Sequence, residues 1–91
     1  MKIARVEIST RFKKSFRKLS PKIKRKAISR IKLFKGNPFD PRLRTQPLSG
    51  KEKECWTFWI DYRHRIKFIF LNGNEVLFLD YWHSRYFISD Y

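Results

Sequence analysis

A chain of 91 residues carrying a net charge of +14 has room for one domain, residues 1–91, and one modest hydrophobic core. Apolar content of 42%, with three Trp, four Tyr and nine Phe, excludes a disordered chain, and a single cysteine, Cys55, excludes an internal disulfide. Two histidines and one cysteine are too few for a zinc site, no apolar run approaches the ~20 residues that span a membrane, and MKIARVEIS lacks the apolar stretch of a signal peptide.

The expectation is therefore a cytoplasmic protein with no metal, no small-molecule cofactor and no membrane contact. In chain order, Lys2 to Ser9 alternates imperfectly between apolar and polar residues, which predicts a first strand. Thr10 can cap a short helix in which Phe12, Phe16 and Leu19 recur at i, i+4 and i+7. Ser20-Pro21 restarts a second helix, since Ser caps and Pro suits the first helical position. That helix places Ile23, Ala27, Ile28, Ile31 and Phe34 on one side and basic residues on the other, and Gly36, Asn37 and Pro38 end it. Residues 8 to 39 hold twelve Lys or Arg and no Asp or Glu. Charge this dense implies an acidic partner, and nucleic acid ranks first because the helices offer few large apolar residues to a membrane.

Pro38 to Gly50 is predicted to be an ordered loop anchored by Phe39, Leu43 and Leu48. Three strands follow. Trp56, Phe58 and Ile60 alternate with Thr57 and Trp59; Ile66, Phe68 and Phe70 alternate with Arg65, Lys67 and Ile69; Val76 to Tyr81 follows the Asn72-Gly73-Asn74 turn. The sum is an α+β domain of order β-α-α-β-β-β, an antiparallel-rich sheet packed on one face by a two-helix hairpin. Period two then puts Arg63, Arg65 and Lys67, with Thr57 and Trp59, on the face away from the helices.

That face carries the residues suited to RNA cleavage without metal. Such cleavage needs a group to take the proton of the attacking 2′-hydroxyl, another to protonate the leaving oxygen, and cations to steady the phosphate. His83, just past the last strand, is the candidate for proton transfer, the task to which histidine as a residue type is best suited. Arg65 is the best phosphate clamp, with Arg63 and Lys67 in support, because a guanidinium fork grips two oxygens. Phe87 or Tyr86 could stack on a base. His64 shares the parity of Ile66 and is assigned a structural role.

These residues resemble the RelE/ParE superfamily of type II toxins over nearly the whole chain. The first strand, the basic hairpin with FKKSFRKL, the PLSGK segment, the DYRHRIKF strand and the LFLDYWHSRYF ending occur in the family's order. The spacing of His83 and Phe87 is similar to that of the RelE/YafQ-like group, and Arg65 matches the family's strand arginine. The resemblance implies the toxin of a toxin–antitoxin pair: a ribosome-dependent mRNA endonuclease that needs no metal and is neutralised by a small antitoxin. It assigns proton transfer to His83, phosphate stabilisation to Arg65 and orientation of the RNA to Phe87, with ribosomal RNA held by the basic helices.

The departures from the family lie at the same site. Gln46 stands where some YafQ-like members have a histidine, Thr57 and Trp59 where RelE has lysines, and Tyr81-Trp82 replaces a small Gly-Thr pair. The general base is open between Lys51, Lys53 and Tyr86, and Lys51 and Lys53 join Arg63, Lys67 and Tyr86 as RNA-binding candidates. Two other functions remain: a ParE-type toxin of DNA gyrase, and a non-catalytic RNA-binding module.

Overall fold

Ser9 is where the chain turns from its first strand into its first helix. Its N–H donates to the Phe78 carbonyl (3.0 Å) and its hydroxyl to the Leu79 carbonyl (2.7 Å), while its Oγ accepts from the Phe12 N–H (3.0 Å). Ser9 is therefore the N-cap of helix α1 (Thr10–Arg17), and Thr10 is its first residue rather than its cap. In the computed structural model, which describes residues 1–83, Ser20 caps α2 (Pro21–Gly36) in the same way, with Pro21 at the first helical position.

Five strands form one sheet: β1 (Arg5–Ile8), β2 (Gln46–Pro47), β3 (Trp56–Asp61), β4 (His64–Asn72) and β5 (Glu75–His83), in the order β1-β5-β4-β3-β2. β1 runs parallel to β5, and the other pairings are antiparallel. The α+β order read from the sequence holds, with one addition. The expected loop at Pro38 to Gly50 contains β2, a two-residue edge strand whose Gln46 pairs with Thr57. Leu43 anchors that loop as expected and is fully buried, whereas Phe39 is 46% exposed.

The core lies between the helices and one face of the sheet. Phe34 of α2 is its centre, 4.5 Å from the ring of Phe58, 4.9 Å from Phe68 and 5.6 Å from Phe78, one phenylalanine from each central strand. Offset and edge-on contacts of this kind add to the burial of the rings. Ala27, one further turn pair back on α2, is also buried, and its small side chain lets the helix approach the sheet. Ile28, expected on the same side, is 54% exposed, because one residue beyond Ala27 rotates it out of the contact stripe.

Two β-bulges shape the β4–β5 hairpin. Asn72 pairs with Glu75, but Phe70 pairs with Val76, so Leu71 is extra; further along, Phe68 pairs with Phe78 and Lys67 with Asp80, so Leu79 is extra. The second bulge reverses the parity of β5. Val76 and Phe78 face the core before it, and Tyr81 packs against the core after it, leaving Asp80 and Trp82 on the opposite face.

Candidate functional site

The face of the sheet away from the helices is built by register. Trp59 pairs with Arg65, and Arg65 with Trp82, so one row across β3, β4 and β5 reads Trp–Arg–Trp. The next row holds Thr57, Lys67 and Asp80. The Arg65 guanidinium lies 3.9 Å from the centroid of the Trp59 ring, and its Nη1 donates to the Asp61 carbonyl (2.8 Å). Arg44 reaches the same ring from the loop before β2, at 4.7 Å. Its backbone is left-handed (φ 50°), rare for a side chain with a Cβ, and that turn brings the guanidinium onto this face.

Arg65 is half-buried, and burial is the main influence lowering its pKa from the ordinary arginine value. Lys67 sits 4.6 Å from the Trp82 ring and pairs with Glu52 at 2.5 Å. Part of its charge is thereby met within the protein. Trp82 Nε1 donates to Asp80 Oδ2 (3.2 Å), and Asp80 also meets Arg11 of α1 at 3.6 Å. Thr57, expected to be open on this face, is fully buried, and among the described residues its Oγ1 has no hydrogen-bond partner.

Arg63 does not join the row. It lies in the turn between β3 and β4, donates its Nε–H to the Tyr62 hydroxyl (2.8 Å) and stacks on that ring at 5.3 Å. Asp61 organises this turn: its Oδ1 accepts from the N–H groups of Arg63 and His64, both at 2.9 Å, and its Oδ2 lies 3.7 Å from Lys26 of α2. Lys51 lies within a 3-10 turn (Gly50–Glu52) and Lys53 follows it, and both are exposed. Phe87 and Tyr86 lie outside the described residues.

His83 ends β5 opposite His64, the first residue of β4, and the two rings meet edge-on at 5.2 Å. His64 stacks on Tyr81 at 5.4 Å, and its Nδ1 is bonded to the Tyr81 hydroxyl. The register places His83 on the side of Ile66 and Phe68, and Arg65 on the other, one position along at the same end of the sheet. The two expected partners thus stand on opposite faces of a rim. Burial holds the His64 pKa below its ordinary 6.5; Asp61 opposes that shift, while His83, Lys26 and Arg63 add to it.

His64, expected from its parity to be structural, is a member of this group. The signal for it was available: a two-residue turn at Gly73-Asn74 pairs Asn72 with Glu75, and counting back from that pair sets His64 against His83. The two bulges, one on each strand, leave that count unchanged.

On the helix side, a groove of about 870 Å³ runs between α2, the end of β3 and the loop after α2. Arg25, Lys26, Arg30, Lys32 and Arg42 line it, together with Asp61. Asp40 and Arg42 form a bidentate pair at its margin, and the Arg42 guanidinium holds the Asp40 carboxyl down to about 2. Such a concentration of cations suits a polyanion. Among the described residues, no three His, Cys, Asp or Glu side chains cluster as metal ligands, and no helix is long and apolar enough to cross a membrane.

No protein-family model matches the sequence, and a search of curated proteins finds no match. Solved structures share the fold. A YoeB/ParE toxin from Agrobacterium tumefaciens superposes with a TM-score of 0.72 at 16% identity, over 91% of this chain and 98% of its own. The archaeal RelE–RelB complex from Pyrococcus horikoshii gives 0.71 at 14% identity, covering 91% and 96%. The E. coli DinJ–YafQ toxin–antitoxin complex gives 0.70 at 15% identity, covering 89% and 92%. The chain has the fold of the RelE/ParE/YafQ-like toxins across nearly its full described length.

Proposed function

We propose that the chain is the toxin of a type II toxin–antitoxin pair, acting in the cytoplasm as an endoribonuclease on mRNA in the ribosome. The observation that carries this is the cationic and aromatic row centred on Arg65, on the open face of a sheet with the toxins' fold. In the reaction a base takes the proton of a 2′-hydroxyl, the 2′-oxygen bonds to the adjacent phosphorus, and the bond to the 5′-oxygen breaks as an acid protonates it. Arg65, with Arg44 beside the same indole, would hold the non-bridging oxygens, whose charge grows in the transition state. His83 would move a proton at the rim, and His64, whose charged form burial disfavours, joins Lys51, Lys53 and Tyr86 as a candidate for the second proton-moving group. Phe87 keeps the proposed role of orienting the RNA. The groove lined by Arg25, Arg30 and Arg42 would dock ribosomal RNA through its phosphates.

The solved structures that are complexes with RelB and DinJ support an antitoxin protein as partner, and the net charge of +14 suits an acidic one. The neighbouring gene is the direct check of that partner. Primer extension on mRNA translated with and without the purified protein tests the activity. Discrete cuts within the translated region, unaffected by a chelator and lost with Arg65→Ala, are expected. DNA damage with intact translation would point instead to a gyrase-directed toxin.

The opposite-face placement of His83 and Arg65 favours a second reading, a non-catalytic RNA-binding module. Tight ribosomal RNA binding without any cut on programmed ribosomes would select it. If His83→Ala cuts as well as the parent while Arg65→Ala does not, proton transfer belongs to another group.

A further inference from the structure

A single-stranded polynucleotide presents flat bases and charged phosphates in alternation. The row on the open sheet face has a matching alternation. Trp59, Arg65 and Trp82 stand side by side on three adjacent strands, which puts the backbones of the two tryptophans about 9.6 Å apart with Arg65 on the strand between them. Arg44 extends the row beyond Trp59, and Lys67 packs on Trp82. Charge alone would serve for a phosphate. Two half-buried tryptophans set on either side of an arginine add flat surface that a phosphate does not use.

We propose that Trp59 and Trp82 form a base-stacking site for single-stranded RNA, with Arg65 binding the phosphate between two stacked nucleotides. This rests on the reading of the open face as the RNA face and adds to it the residues that grip bases. Stacking is tolerant of sequence because every base has a flat face, so the site favours unpaired RNA over a duplex rather than one base over another. The cations packed on the indoles fit this arrangement: they hold the rings in place, and a guanidinium plane is itself a surface on which a base stacks.

The test uses the full chain and an uncleavable 2′-O-methyl hexaribonucleotide, compared with an abasic strand that has the same phosphates and no bases. Fluorescence anisotropy should show the base-bearing strand binding about 5- to 150-fold more tightly for each stacked base. Trp59→Ala and Trp82→Ala should each erase much of that preference, and Trp59→Phe and Trp82→Phe should keep most of it. Arg65→Lys should weaken both strands alike. Equal binding of the two strands by the parent protein would overturn the proposal without any variant having to fold. So would a full base preference in both alanine variants. Cuts in translated mRNA together with equal binding would sink only this inference, whereas base-dependent binding without cuts would sink only the endonuclease.

Discussion

Alternate residues of β4 do different work on the two faces of the sheet. Ile66 and Phe68 are fully buried under the helices, while Arg65 and Lys67, between and beside them, carry charge against tryptophans on the opposite face. The inner face is held by rings closely stacked around Phe34. The outer face is held by cations over indoles and by ion pairs that span long sequence separations, such as Lys67 to Glu52. Along this one strand, residues that build the core alternate with residues that hold charge on the outer face.

The sharpest way to break that separation is to compare one residue from each side. Phe34→Ala should cost about 3–5 kcal/mol in chemical denaturation, because it empties the centre of the ring cluster. Arg65→Ala should cost less than about 1 kcal/mol and still abolish the proposed cleavage of translated mRNA. Comparable losses of stability in the two variants would refute the division of faces.

Asp61 is the point where the faces meet, since its side chain holds the turn and Lys26 while its carbonyl receives Arg65. Asp61→Ala should cost about 1–2 kcal/mol, and Asp61→Asn, which keeps the acceptor for two backbone N–H groups, should cost less. Equal costs would show that charge rather than the turn bonds is what matters there.

The next effect depends on pH. The folded-state pKa of His64 is lowered, so the unfolded chain takes up the proton first as acid is added. Its contribution to stability is complete above 6.5 and is lost as pH falls from there through the lower folded value. Urea midpoints should therefore drop as pH is lowered through that window, and His64→Gln should flatten the drop. A profile unchanged by the substitution would remove His64 as its source.

A smaller change is expected at Thr57. Its buried hydroxyl lacks a partner among the described residues, so Thr57→Val should be neutral or stabilise by about 1 kcal/mol. Clear destabilisation would mean that the hydroxyl has a bonding role on the outer face.

Much of this architecture is legible in the sequence. Ser20-Pro21 marks a helix start, the alternation of Trp56, Phe58 and Ile60 marks a buried strand face, and Asn72-Gly73-Asn74 marks a hairpin. The two-residue strand at Gln46 is too short to show a period. Leu79 is invisible for another reason: a bulge changes which residues face inward without changing their composition, so alternation read past it points the wrong way. Arg65 could be placed because parity alone decides its face. The Lys67–Glu52 and Arg44–Trp59 contacts could not, because each depends on how a loop folds back over the sheet. The cationic groove likewise exists only once α2 is laid beside β3.

The left-handed backbone at Arg44 has a consequence for how this protein could be improved or weakened. Glycine would relax that position and should raise stability by about 0.5–1 kcal/mol, while removing the guanidinium that lies over Trp59. Arg44→Gly is thus a site of trade-off, where a selection for thermal tolerance and a selection for the proposed RNA binding would choose opposite residues. A variant that gained both would show that Arg44 does not contribute to that binding.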